Sequence, residues 1–324
     1  MKGNKMLEIV TALAGRAAVV KLFEVCAKGC GRITKAHYDK QDIETEAYKI
    51  KILAAAQALA NQITNNSQKE QLTETQKSNL SLEERTQSRV SFQEQKKQMN
   101  LEKVIAVAAE ELKNEQTVTD EPLDEDWITR FFKNAADISD EEMQSLWGKI
   151  LAGEIKQPKT YSLRTLELVK NLTKEEARVF EKVANFAVTI VTTNASVVFT
   201  LLNNETDKIT DTDIALLIEI GLIQANQQDL NFRSMPNNEE QKFISGKFLL
   251  IVKIKANTPE FKMRDYVFTK TGSELLKLIN PESDFEYLAA IAKSIQNESV
   301  DVKYGQITSR EENTIHHTAL KNFE

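Results

Sequence analysis

The stretch ISDEEMQSLWGKILAGEI, residues 138–155, decides the reading of the first half of the chain. Ser139 followed by Glu142 has the spacing of a capping box, which opens a helix. Met143, Leu146, Trp147, Ile150 and Leu151 then recur at helical spacing and predict one buried stripe. Gly153 marks the approaching end, and Pro158 prevents continuation. The acids and the tryptophan invite an active-site reading. The residue pattern favours scaffold instead: the acids suit a helix N-terminus, and a Trp within an apolar stripe is core, its indole N–H taken by a neighbouring carbonyl.

The same logic extends outward. Just upstream, Trp127, Ile128, Phe131, Phe132 and Ala135 make a dense apolar face, and Asp124–Asp126 precede it where a helix dipole favours negative charge. Downstream, SLRTLELVKNL reads as a short helix, and Thr173 with Glu176 is a second capping box. Residues 127–186 therefore predict a compact bundle of short helices. Further upstream, MNLEKVIAVAAEEL places Leu101, Val104, Ile105, Ala108 and Leu112 on one stripe. Residues 5–28 and the run IETEAYKIKILAAAQALANQI also read as helices. Between them and the stripe, TNNSQKEQLTETQKSNLSLEERTQSR is a loop or the exposed part of a long helix.

The C-terminal part changes character. NFAVTIVTTNASVVFTLL is β-branched and ambiguous, whereas FISGKFLLIVKIKA and FKMRDYVFT are strand-like. DTDIALLIEIGLI reads as a helix leading into a strand, Thr271 with Glu274 caps GSELLKLI, and FEYLAAIAKSI precedes a strand at VDVKYGQI. The order helix, GLI turn, strands, helix suggests a winged-helix-like module. Its groove-facing helix would carry Lys208 against Glu205, Asp207, Asp211, Asp213 and Glu219, which phosphates repel. Lys247, Lys253 and Lys255 would leave only a weak basic wing.

Composition narrows the function classes. The 324 residues are 41% hydrophobic and 28% charged, an ordinary balance for a soluble protein, with few glycines (10) and prolines (5). A formal charge of −6 gives no global attraction to nucleic acid. Glu8, Arg16, Lys21 and Glu24 interrupt the most apolar N-terminal run, so neither a membrane span nor a signal core is expected, and the cytoplasm is the expected compartment. The first 60 residues carry 10 Lys/Arg against 6 Asp/Glu, a net of +4, which leaves contact with an anionic membrane surface through the N-terminal helix open beside an oligomerisation role.

No motif declares a chemistry. KGCGR and SGK lack the remaining features of a phosphate loop, and GxSxG, HExxH and CxxC are absent. Cys26 and Cys30 read as free thiols, and only His37, His316 and His317 are available as imidazoles. Eight carboxylates lie between Glu110 and Asp126 against Lys113 alone, a weak metal signal beside the helix-entry reading. Arg164, between acid-capped helices, is a candidate for bridging carboxylates or for meeting an anion. No catalytic, cofactor-binding or metal residues are assigned, and no cofactor is expected.

The block resembles a bacterial family known as domain of unknown function 2806. That family's pattern runs D-W-x-x-x-F-F, I-S-D-E-x-M-Q-x-L-W, I-L-A-G-E, a proline, S-x-R-T-L and E-A-x-x-F. Here these are Asp126–Phe132, Ile138–Trp147, Ile150–Glu154, Pro158, Ser162–Leu166 and Glu176–Phe180. QMNLEKVIAVAAEEL, EIGLI and FTKTGSELLKLI extend the likeness over most of the chain. Gly148 departs from it, standing where alanine is the commoner residue, and is expected to loosen the helix. The resemblance implies an architecture and brings no activity, cofactor or site residue; a role in anti-phage defence follows only by association.

The expectation is a mainly α protein. An N-terminal helical region (1–115) would lead into a central bundle (116–200), a small α+β winged-helix-like module (201–307) and a flexible tail (308–324). Its structural core would hold Trp127, Phe131, Phe132, Met143, Leu146, Trp147, Ile150 and Leu151. The expected function is non-enzymatic protein–protein interaction or regulation with self-association through N-terminal helices. A nucleic-acid or membrane-surface effector is the rival reading, and an enzyme working through carboxylates is the least favoured.

Overall fold

The computed structural model describes residues 17–30, 81–115, 117–199, 208–233, 240–279, 281, 284–311 and 314–323. Residues 5–16 of the first expected helix, the whole of the second at 43–63, and His37 lie outside the described residues. The chain divides into two units, Met1–Lys170 and Asn171–Glu324.

The first unit is helical. Helix α1 (Ala17–Cys30) buries Ala18, Val19, Leu22, Val25 and Cys26. Helix α2 (Leu82–Leu112) opens on a capping box between Ser81 and Glu84 and buries a stripe from Asn100 to Leu112. Helix α3 (Glu125–Ala135) is capped by Asp124, which accepts the N–H of Trp127 at 2.8 Å. Helix α4 (Glu141–Lys156) follows, then α5 (Leu163–Asn171). Of the polar stretch at 64–89, residues 82–89 are the exposed start of a long helix, and 64–80 lie outside the described residues.

Helix α4 begins one residue later than its Ser-x-x-Glu spacing suggests. Asp140 is the cap and accepts the N–H groups of Glu142 and Met143. Helix α2 packs along α4, with α1 against α2, α3 and α4. Gly148 faces α2 at close range. A Cβ there would lie 2.5 Å from the Val107 Cβ and 2.9 Å from the Val104 carbonyl oxygen. The glycine does not loosen this helix; it admits the neighbouring backbone.

The second unit overturns the mainly α expectation. Helix α6 (Lys174–Ala184) has the Thr173–Glu176 capping box. After it come β1 (Val188–Ile190), β2 (Ser196–Phe199), α7 (Asp211–Glu219), β3 (Gln228–Phe232), β4 (Gln241–Ser245), β5 (Phe248–Ile254) and β6 (Phe261–Val267). Helices α8 (Lys270–Leu276) and α9 (Phe285–Ile295) and strands β7 (Val300–Glu311), β8 (Thr314–His317) and β9 (Lys321–Asn322) complete it. Among the described residues these strands form one nine-stranded antiparallel sheet, ordered β3-β6-β2-β1-β4-β5-β7-β8, with β9 added to β7. The unit is therefore not a small winged-helix-like module. The ambiguous β-branched run resolves into β1 and β2, which bridge the two halves of the sheet. The segment read as a flexible tail supplies the end of β7 and all of β8 and β9. Ser245–Lys247 is the hairpin turn between β4 and β5, where Gly246 has φ 48°. Helix α8 is capped by Thr269, not Thr271.

Polar pins hold the helices of this unit. Lys182 of α6 meets Asp213 of α7 at 2.6 Å. Tyr287 of α9 accepts the Phe199 N–H at 2.7 Å and donates to the Phe199 carbonyl at 3.0 Å.

Two substitutions test the packing of the first unit by urea denaturation. Trp147→Ala, at a fully buried site, lowers the unfolding free energy by about 3–5 kcal/mol. Gly148→Ala would gain about 1 kcal/mol in an unencumbered helix; against α2 it costs about 1–3 kcal/mol instead.

Candidate functional site

The core residues of the first unit meet around Phe131. Its ring stacks on Trp127 at 5.0 Å, lies 5.2 Å from Trp147 and meets Phe132 edge-on at 5.3 Å. Trp127, Phe131, Phe132, Met143, Trp147, Ile150 and Leu151 are all buried, and Leu146 is half-buried. The indole that finds a carbonyl is that of Trp127, which donates to Tyr161 at 2.8 Å. Trp147 Nε1 and Asn134 Nδ2 are buried with no hydrogen-bond partner among the described residues.

Glu154 closes this cluster. Its buried carboxylate accepts the Lys159 N–H at 2.6 Å and the Tyr161 N–H at 2.9 Å. These bonds hold the turn after α4, in which Lys159 is left-handed at φ 68°. Gly153 leaves room for Tyr161: a Cβ there would lie 2.7 Å from the phenol oxygen. The acid is thus a backbone clamp, and its two oxygens are committed to main-chain donors. Asn100 and Gln144 form a second buried set. Asn100 donates to the Ala136 carbonyl at 2.8 Å, and Gln144 donates to Asn100 Oδ1 at 3.1 Å and to the Ile138 carbonyl at 2.8 Å. They satisfy carbonyls left over after α3 and tie them to α2. Spacing alone does not single these amides out, because they lie beside apolar stripes; a polar residue flanking such a stripe is the signal the sequence carries.

The acidic run does not converge. Asp124 is a cap, while Glu110 pairs with Lys113, Glu115 with Lys156 and Glu121 with Lys159. Among the described residues no group of three or more His, Cys, Asp or Glu could hold a metal ion. Arg164 is exposed on α5 and has no ion pair among the described residues, so it bridges nothing there. Burial pushes the Cys26 thiol well above the ordinary thiol range and Cys30 up to about 12, the reverse of an activated nucleophile. His316 and His317 are exposed on β8.

One ionisable group in the second unit stands apart. Asp265 on β6 is 2% exposed, and its Oδ1 has no hydrogen-bond partner among the described residues. Its register neighbours are Phe199 on β2 and Gln228 on β3. Burial, and then the nearby charge of Asp229, push its pKa up to about 6. Tyr287 offers no second catalytic group. Its hydroxyl is engaged by Phe199, and burial raises its pKa further. The arrangement can take up and release a proton at about pH 6, and among the described residues it brings no metal ligand set to that proton. Asp265 lies in the strand-like FKMRDYVFT, where its alternation with Met263 and Val267 on one strand face was the missed signal.

The sign of the resulting pH dependence is fixed. The native state holds a proton on Asp265 up to about pH 6, whereas the ordinary carboxyl value is 3.8. Stability is therefore greatest below 3.8 and falls as pH rises to about 6. Asp265→Asn removes this fall. Denaturation at pH 7 should find the variant more stable by about 2–3 kcal/mol, with the difference gone at pH 4.

No helix of the described residues is long and apolar enough to cross a membrane. No curated protein and no solved structure matches the chain. One family model does, over residues 84–292, which takes in most of α2, the Glu154 clamp, strands β1 to β6 and most of α9. On that match the chain belongs to the family described as protein of unknown function (DUF2806).

Proposed function

We propose that the chain is a non-enzymatic interaction or regulatory protein that self-associates through α2. The observation that carries this is the first half of that helix. Every residue from Leu82 to Lys96 is exposed, Leu82 by 66% and Phe92 by 61%. Val90 and Met99 are also exposed. Large apolar side chains gathered on one solvated helix are a contact surface in search of cover. Phe92 and Met99 stand two turns apart on one side of the helix, a spacing that a second helix can bury. Among the described residues this half of the helix is held by its capping box and by local pairs such as Lys97 with Glu94 and Gln98 with Glu102. It can therefore be presented ready-formed, which lowers the entropy cost of association.

The buried thiols, whose pKa burial raises, the capped acids and, among the described residues, a buried Asp265 carboxyl without a catalytic partner speak against catalysis. The acids Asp211, Asp213 and Glu219 on α7 speak against a nucleic-acid surface there. The free thiols Cys26 and Cys30 fit a reducing compartment, and we place the protein in the cytoplasm.

Light scattering across a hundredfold concentration range tests the reading. The wild-type mass should rise with concentration. The double variant Phe92→Glu, Met99→Glu should remain monomeric with unchanged thermal stability, because both residues are exposed. A wild-type monomer throughout, or a double variant that still associates, sinks the proposal.

A further inference from the structure

Strand β6 is held over different lengths on its two edges. Among the described residues, β3 pairs with it from Phe261 to Asp265, and β2 pairs with the other edge from Asp265 to Val267. Asp265 is the residue where both pairings meet. Beyond it the strand is fixed from two sides: the Phe268 N–H donates to the Ser196 carbonyl at 2.9 Å, and the Val267 carbonyl accepts the Gln224 N–H at 2.9 Å. Before it, Phe261–Arg264 pair with β3 alone, and β3 joins the sheet through β6 alone, among the described residues. Gln228–Phe232 and Phe261–Arg264 therefore make a two-stranded flap rooted at Asp265.

An aromatic contact closes the flap. Alternation puts Gln228, Leu230 and Phe232 on one face of β3, opposite Asp265, Met263 and Phe261 on β6. Phe232 is 1% exposed; it stacks on Phe261 at 5.0 Å and lies 6.4 Å from Phe199 on β2 and 5.8 Å from Phe243 on β4. At the root of this same face stands the buried Asp265 carboxyl, with Oδ1 unanswered among the described residues. The elements around it bring no cation to that oxygen. Asp229 on β3 adds a like charge. Arg264 and Lys262 alternate onto the other face of β6, opposite Asp229 and Asn231. Strand β2 brings Phe199, and α9 brings the Tyr287 hydroxyl, already engaged by Phe199.

We propose that β3 and the first half of β6 form a pH-sensitive flap hinged at Asp265, closed while the carboxyl is protonated and opened more often once it is charged. A carboxylate held on an apolar face without a partner gains by reaching water. The motion that takes it there swings Phe232 away from Phe199 and Phe243. Residues 261–264 can follow, because β3 alone holds them and moves with them. Residues 266–268 cannot, because β2 and the Gln224 N–H keep them in place. Charge on Asp265 therefore loosens the flap and spares the β4–β5–β7 ladder. This localises the loss of stability at rising pH, and it does not depend on the α2 surface.

Amide hydrogen exchange of the full chain, read by mass spectrometry at pH 5 and pH 7.5 and corrected for the intrinsic pH dependence of exchange, tests the proposal. Asp265 titrates at about 6 with the flap closed, and a carboxyl in water at 3.8. Protection across residues 228–232 and 261–264 should therefore fall about tenfold from pH 5 to pH 7.5. Strand β5 should keep its protection. Asp265→Asn should hold the flap equally protected at both pH values. A flap whose protection does not change in the wild type, a fall shared equally by β5, or a fall that persists in Asp265→Asn overturns the proposal.

Discussion

The first unit depends on how closely two helices can approach. At Gly148, α4 lies so near α2 that the Val104 carbonyl and the Val107 side chain occupy the space a methyl group would need. The neighbouring residues use that approach. Trp147 enters the aromatic cluster around Phe131, and Gln144, one turn earlier, reaches Asn100 on α2. Asn100 in turn takes the carbonyl of Ala136 at the end of α3. Three helices are thereby fixed by one contact zone in which apolar packing and buried amides act together. Separating α2 from α4 by even one methyl radius would strain both.

Both units hold answered and unanswered buried polar groups. In the first, the Glu154 carboxylate and the Asn100–Gln144 pair are answered by main-chain groups, so their burial adds definition to the turns that follow α3 and α4, whereas Trp147 Nε1 and Asn134 Nδ2 have no partner among the described residues. In the second, the Tyr287 hydroxyl is answered twice over by one residue, whereas Asp265 has an oxygen answered by nothing described. The Tyr287 pin and the Asp265 carboxyl thus both meet the sheet at Phe199. A carboxyl kept there works against folding whenever it is charged.

The helical half was legible because its signals are local. The stripe from Leu101 to Leu112 and the Thr173–Glu176 box are read directly from spacing, and the structure keeps both. Ser139 failed as a cap because Asp140, one residue on, competes for the same N–H groups and accepts two of them. Gly148 failed for another reason. Helix propensity is a property of the isolated helix, and only the position of α2 turns the glycine from a weakness into a requirement. The sheet was underestimated because its pairings are not local. Strand β2 lies between β1 and β6, and β7 joins β5, β8 and β9, none of which periodicity can report. The tail hid its strands because Thr314, His316 and His317 are exposed, leaving no apolar alternation to find. Of the candidate site, Arg164 was visible and found nothing to bridge, while Asp265 had no motif to announce it.

Lys21 on α1 carries a consequence for the entropy of folding. Its ammonium donates to the carbonyls of Thr119 and Glu121, both at 2.7 Å, across sequence separations of 98 and 100 residues. The contacts that join α2 to α3 and α4 close much shorter loops, such as the 36 residues from Asn100 to Ala136 and the 44 from Asn100 to Gln144. Loop-closure entropy rises with length, and contacts between distant residues form slowly. Loop closure therefore costs less for the α2–α3–α4 contacts than for the docking of α1, whose half-buried lysine spans to a distant loop.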